Sequence, residues 1–202
     1  MQIGILGTGN VAQTLGRRWS AAGHRITFGS RDPVSKATLG APVTLLAAAV
    51  AENDVVVNAT PGSASLEVLD GIGAAPFAGK VLVDIANAVT PSFELVYPNS
   101  SLAEKLQAAL PEAKVVKTMN TAAMSVMTEP ATLPPSSVFM SGDDAGAKAT
   151  VTSLLKDFGW ADGSIVDLGG IRSARGPEHC FLIFAALVQS LGTPRFNIRV
   201  VT

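Results

Sequence analysis

Apolar residues fall in short blocks along this chain, separated by stretches rich in Gly, Pro and small polar residues. Ile3, Ile5 and Leu6 read as a first strand. Val11, Leu15 and Trp19 then recur at i, i+4 and i+8, one face of a helix, and Gly23 stops it. Arg25–Phe28 gives a second strand and Val43–Leu46 a small third one, with an alanine-rich helix over 47–52. The continuous β-branched run from Asp54 to Thr60 is the mark of a parallel strand buried on both faces. Pro61-Gly62-Ser63 breaks it, a short helix covers 65–69, and Val81–Ile85 is another buried strand. Pro91 and Pro98 mark 88–100 as a long loop. Ser101 and Glu104 form a capping box for a helix through Leu110. Strands follow at 114–119, 138–140 and 165–168. Between the last two, Gly142-Asp143-Asp144 opens a helix with Val151, Leu154, Leu155 and Phe158 on one face. A final helix runs from about Ala174 to Leu191 and stops at Gly192 and Pro194.

Strands alternating with helices predict an α/β fold with one doubly wound, mostly parallel sheet, followed by a short C-terminal helix and tail. The first loop sharpens this to a Rossmann sheet. Gly7-Thr8-Gly9-Asn10-Val11-Ala12 has the G-x-G-x-x-G/A spacing between a strand and a helix. Gly7 allows the sharp turn, Gly9 leaves bare backbone for a pyrophosphate, and Ala12 lets helix and strand pack closely. A pyrophosphate there meets free N–H groups at a positive helix end. A glycine-rich turn that binds nothing is the alternative; the flanking strand and helix favour a dinucleotide.

The end of the second strand selects the dinucleotide. An acidic residue there accepts from a ribose 2′-OH, whereas Arg pairs a 2′-phosphate. Here the strand ends in Gly29-Ser30-Arg31-Asp32-Pro33. Ser30 and Arg31 are phosphate donors, Asp32 comes too late for the acidic position, and Lys36 and Thr8 are within reach of the same group. NADP(H) is the expected cofactor, against the alternative of a solvated turn with a stray Arg.

Composition narrows the class. The 202 residues are enough for one domain (1–202), in which 169–202 supplies a helix and tail as pocket wall and subunit contact. Hydrophobic residues make up 48% and charged ones 15%, below the usual quarter or so, and mean hydropathy is +0.36. No apolar run approaches the roughly 18 residues of a membrane span, so this surplus points to a subunit interface. A net charge of −1 gives no reason to expect nucleic acid or anionic lipid. A single Cys180 and a strand beginning at residue 2 or 3 fit a cytoplasmic protein.

The segments expected at the carboxyl ends of the strands are Gly7–Ala12, Gly29–Arg31, Thr60-Pro61-Gly62-Ser63, Ala86–Val89 and Asn120–Ala123. They contain no His, Cys or Glu, and the only acid near them is Asp84 inside its strand. His24 and His179 lie elsewhere and read as structural; no metal-ligand cluster or nucleophile elbow is present. Reducing a ketone needs a proton donor, whereas handing a hydride to a flavin-like ring needs chiefly the stacking of two flat rings. Asn87, Asn120 and Thr121 are placed to orient a nicotinamide amide. Met119, Met124, Met127 and Phe93 offer an apolar floor, with plain core packing as the alternative.

The segments GTGNVAQTLGRRW, FGSRDP, KTMNTAA, SGDDAGAK, DFGW, GGIRSAR and LGTPRFNIRVV, in this order along the whole chain, resemble the NADPH-dependent F-420 reductase family. Similar segments occur in the cytosolic domains of six-transmembrane metalloreductases. The resemblance implies hydride transfer between NADP(H) and the deazaflavin F-420, with FMN or FAD as related acceptors. It implies phosphate binding by Thr8, Ser30, Arg31 and Lys36, and nicotinamide and deazaflavin beside Asn120, Thr121 and Ala122. Better-studied members carry His-Thr-Ile-Pro where this chain has Asn120-Thr121-Ala122-Ala123. Two other readings stay open at this level: an NADPH-binding redox sensor without turnover, and a small carbonyl or imine reductase.

Cys180–Val188 reads CFLIFAALV, apolar all round within the last helix. Such a helix must be covered on every side. A homodimer packed across a two-fold axis is expected, with cover by the tail from Pro194 to Val201 as the alternative.

Overall fold

Strand β1 (Gln2–Leu6) sits inside an eight-stranded sheet, paired in parallel with β2 (Arg25–Ser30) on one side and β4 (Val55–Asn58) on the other. The computed structural model describes residues 1–37 and 39–201. Strand order is β3-β2-β1-β4-β5-β6-β7-β8, with β3 at Val43–Leu45, β5 at Val81–Asp84, β6 at Lys114–Thr118, β7 at Val138–Ser141 and β8 at Ile165–Asp167. Chain order reverses between β1 and β4, and that switch point opens a crevice at the carboxyl ends of both strands.

All neighbouring strands are parallel except β6 and β7. The link between these two holds only the short helix Met124–Thr128 and a single 3-10 turn, with no long crossover helix to carry the chain back, so β7 runs the other way. The mostly parallel sheet expected from the alternation of elements is present, and this pair is its one exception.

Helices cover both faces. Helix α1 (Asn10–Ala21), α5 (Met124–Thr128) and α6 (Ala145–Lys156) close one core around Ile3, Ile5, Val57, Val116 and Trp19. Trp19 stacks on Phe158 at 4.8 Å, and its indole N–H donates to the Leu154 carbonyl at 3.2 Å. Helices α2 (Leu46–Ala51), α3 (Gly62–Asp70) and α4 (Leu102–Ala109) close the other around Leu6, Val56, Leu82 and Val115.

Helix α7 (Arg175–Leu191) follows a 3-10 turn at Ile171–Ala174. Only its first turn is buried, through Pro177 and Glu178. The tail bends back so that Ser137 N donates to Ile198 O at 2.8 Å and Phe196 reaches Phe184, ring centres 5.1 Å apart. Phe184, Phe181 and Phe93 continue this line of rings. The tail therefore covers part of α7, while Leu182 and Ile183 stay 44% and 56% exposed. No helix among the described residues is long and apolar enough to cross a membrane.

Candidate functional site

The chain leaves β1 through Gly7, whose φ of 113° is a conformation side chains resist, and a β-carbon there would lie 2.7 Å from the Ala59 carbonyl. That approach fixes the β1 and β4 loops side by side. Gly9 forms the N-cap of α1; among the described residues nothing stands within 4 Å of where its β-carbon would be, and no side chain caps the helix. The first-turn N–H groups therefore have room for an anion in front of them.

These loops border a cleft of about 740 Å³ lined by Gly7, Thr8, Gly9, Asn10, Val11 and Ala12 from the first turn. Ser30, Arg31, Asp32, Ser35 and Lys36 line it beyond β2, and Thr60 and Pro61 beyond β4. The β2 turn is built by its own hydrogen bonds: Asp32 N donates to Ser30 Oγ at 3.0 Å, and Ser35 N to Asp32 Oδ1 at 3.3 Å. The bonds from Ser35 hold the Asp32 carboxyl below its ordinary range. Asp32 thus braces the turn, and the exposed Arg31 guanidinium enters no ion pair among the described residues.

From Thr60 a polar chain runs across the carboxyl ends of β4 and β5. Thr60 Oγ1 donates to Asn58 Oδ1 at 2.6 Å, and Asn58 Nδ2 donates to Asp84 Oδ1 at 2.9 Å. Beyond β5, Asn87 Nδ2 donates to the Asn120 carbonyl at 2.8 Å. Asn120 Nδ2 returns a bond to Asn87 Oδ1 at 2.9 Å and gives another to the Pro177 carbonyl at 2.9 Å. Asn87 and Asn120 are thereby brought together, outside the lining of the cleft but joined to it where α3 begins at Gly62. Thr121 and Ala122 are buried in the turn behind Asn120 and line no part of the cleft.

Met119 and Met127 are buried in the core, and Phe93 stands 59% exposed on the loop after β5. His24 lies far round the molecule, bonded to Asp157 at 2.8 Å and to the N-terminal amine at 2.9 Å. Burial pushes the Cys180 thiol up, away from thiolate chemistry.

The expectation that no acid but Asp84 approaches the carboxyl ends needs correction. Glu178, from the first turn of α7, reaches Lys117 Nζ at 3.1 Å, and Lys117 pairs Asp84 at 2.9 Å, all three buried. Burial raises the Glu178 carboxyl, although Lys117 pulls it back. Burial also opposes the Lys117 charge, but the two carboxylates outweigh it and hold the ammonium above its ordinary range. Sequence spacing held no signal for Glu178, since Lys117 lies far from it along the chain.

Residues 2–88 match a family model described as NADP oxidoreductase, coenzyme F420-dependent. The chain is similar over its whole length to a protein of Arthrobacter sp. FB24 provisionally named an F420-dependent NADP-reductase, with 40% identity, full coverage of both chains and a TM-score of 0.93. It is 31% identical over 183 residues to Metalloreductase STEAP3 of Rattus norvegicus; that match takes in 88% of this chain but spans only 36% of the rat protein. A Streptomyces aurantiacus imine reductase shares the fold at 17% identity and a TM-score of 0.68, over 95% of this chain and 64% of that one.

Proposed function

The chain belongs to the F420-dependent NADP oxidoreductase family, and on that premise we propose that it moves a hydride between NADP(H) and a deazaflavin (F-420) or a flavin such as FMN or FAD. The NADP(H) dependence is a property of the family; the acceptor is our reading. When bound, NADP(H) supplies or takes the hydride at its nicotinamide ring. The residues fit such a group: uncapped N–H groups and open space at Gly9 suit a pyrophosphate, and a guanidinium that enters no ion pair among the described residues, next to Ser30 in the chain, suits a 2′-phosphate.

In this reading Gly7, Thr8, Gly9, Asn10 and Val11 cradle the pyrophosphate, with Thr60 and Pro61 closing the far side. Ser30, Arg31 and Lys36 hold the 2′-phosphate together with the Thr8 hydroxyl. Asn87 and Asn120 meet the nicotinamide amide, and Thr121 and Ala122 support their turn from behind.

One observation carries the choice of acceptor. The carboxylates nearest the carboxyl ends are buried and engaged: Asp84 by Asn58, Ala86 N and Lys117, Glu178 by Leu102 N, Ala103 N and Lys117. Neither is available as a proton donor to a developing alkoxide or amine. A conjugated ring spreads the incoming charge itself and asks of the protein only alignment. The half-exposed apolar flank of α7, Leu182, Ile183 and Leu191, fits contact with a second copy that shields the ring from water.

NADPH oxidation followed with F-420, FMN, FAD and a panel of carbonyls and imines tests the proposal. Turnover with a deazaflavin or flavin is expected. Turnover confined to carbonyls or imines, or tight NADPH binding with no turnover, contradicts it.

A further inference from the structure

Beneath the Asn87–Asn120 pair lies a second polar layer. Lys117 Nζ donates to Asp84 Oδ2 at 2.9 Å, to Glu178 Oε1 at 3.1 Å and to the Ala86 carbonyl. Asp84 Oδ1 accepts from Asn58 Nδ2 at 2.9 Å and Ala86 N at 3.2 Å. Glu178 accepts from the first two N–H groups of α4, Leu102 at 2.7 Å and Ala103 at 3.1 Å. Two carboxylates and one ammonium leave one negative charge, which the N-terminal dipole of α4 offsets.

Glu178, Lys117 and the Ala86 carbonyl that Lys117 holds are each tied by the backbone to the amide pair. Ala86, held through its carbonyl by Lys117, immediately precedes Asn87. Pro177, whose carbonyl takes Asn120 Nδ2, immediately precedes Glu178. Lys117 leads through Thr118 and Met119 to Asn120. That last link is strained: Met119 has a φ of 60°, and Asn120 N donates to Thr118 O at 2.8 Å across it, the rarer form of a three-residue turn. A strained turn persists only when anchored on both sides, here by Lys117 and by the start of α7.

The geometry points to Glu178, acting with Lys117 and Asp84, as a positioning residue that fixes Asn87 and Asn120 in the orientation a carboxamide requires. Two backbone carbonyls, which can only accept, set that orientation: Pro177 O faces Asn120 Nδ2, and Asn120 O faces Asn87 Nδ2. Both Asn120 amide hydrogens are spent. Among the described residues, Asn120 Oδ1 and the second Asn87 amide hydrogen have no partner. One acceptor and one donor complement the N–H and C=O of a primary carboxamide. The assignment rests on the nicotinamide reading given above.

Parallel titration of wild type and Glu178→Gln with NADPH and with 2′,5′-ADP tests it, since 2′,5′-ADP keeps the 2′-phosphate and lacks the nicotinamide. Gln at 178 removes one charge and leaves Asp84 and Lys117 balanced. The expected result is an approximately tenfold loss of NADPH affinity, with 2′,5′-ADP changed by no more than about twofold. Asp84→Asn, which leaves Lys117 balanced by Glu178, is expected to do the same. Equal losses for both ligands, or no loss for NADPH, overturn the assignment. In the unliganded wild type, slow solvent exchange of the Asn120 side-chain amide protons is expected. Exchange at the rate of a free amide overturns the assignment whatever the variants do. Failure of wild type to bind 2′,5′-ADP at all would instead reject the reading of the cleft.

Discussion

Gly62 and Asn87 touch backbone to backbone: a β-carbon on Gly62 would run into the Asn87 carbonyl and lie 2.7 Å from the Ala88 amide nitrogen. The start of α3 is thereby pressed against the loop that carries Asn87. Gly62→Ala must part these two loops, because neither obstacle is a side chain that can rotate away. The variant is expected to lose about 1–3 kcal/mol of stability and to bind NADPH more weakly. Thermal melting and NADPH titration check both; a variant as stable and as tight as wild type contradicts the packing argument.

Arg31 is the charge we assign to the 2′-phosphate. A charge-assisted bond of this kind contributes about 1.5–3 kcal/mol, roughly one to two decades in binding. Arg31→Ala is therefore expected to weaken NADP(H) by that factor while leaving NAD(H) nearly unchanged. Equilibrium titration with all four nucleotides checks it. An unchanged NADP/NAD preference would mean that the β2 turn has been misread.

Arg175 and Glu104 join α7 to α4 through two parallel bonds, Nε to Oε2 and Nη2 to Oε1, both 2.8 Å. The Arg175 bonds are the main reason the Glu104 carboxyl drops from 4.5 to about 2. A depressed carboxyl stabilises the fold above its unfolded value, and that stability is lost as pH falls toward the folded one. Arg175→Ala is expected to lower stability near neutral pH, because the Glu104 carboxylate loses both of these bonds. The gap to wild type should close as pH falls from 4.5 toward 2. Melting curves across that range decide it, and a gap independent of pH contradicts the cause.

Ile183 and Leu182 stand on the uncovered flank of α7. If that flank meets a second copy, sedimentation at micromolar concentration gives twice 20.7 kDa, and Ile183→Glu returns the mass to 20.7 kDa. A wild-type mass of 20.7 kDa rejects the contact.

What could be read in the sequence follows from how local each signal is. Strands β4 and β5 announce themselves by unbroken apolar runs, and the first loop by three small residues at fixed spacing. Ser101 does cap α4, accepting from Glu104 N at 3.1 Å, as its spacing with Glu104 implies. The other half of that box is redirected, because the Glu104 carboxylate turns to Arg175 and to the Ser100 and Ser101 hydroxyls. Long-range pairings leave no such trace. Lys117 looks like a solvent-facing strand residue until Asp84 and Glu178 enclose it, and Asn87 meets Asn120 only because β5 and β6 are neighbours. The reversal of β7 depends on what fills the preceding link, which no periodicity records.

The most direct test of the account follows the hydride itself. NADPH deuterated at the transferable C4 position is mixed with the protein and oxidised F-420, and the reduced deazaflavin is analysed by mass spectrometry. Carbon-bound hydrogen at C5 of that ring does not wash out in water, so direct transfer leaves the deuterium in the product. Deuterated, reduced F-420 formed only with the protein present is the predicted result; unlabelled product, or no reduction while a carbonyl or imine is reduced instead, would contradict it.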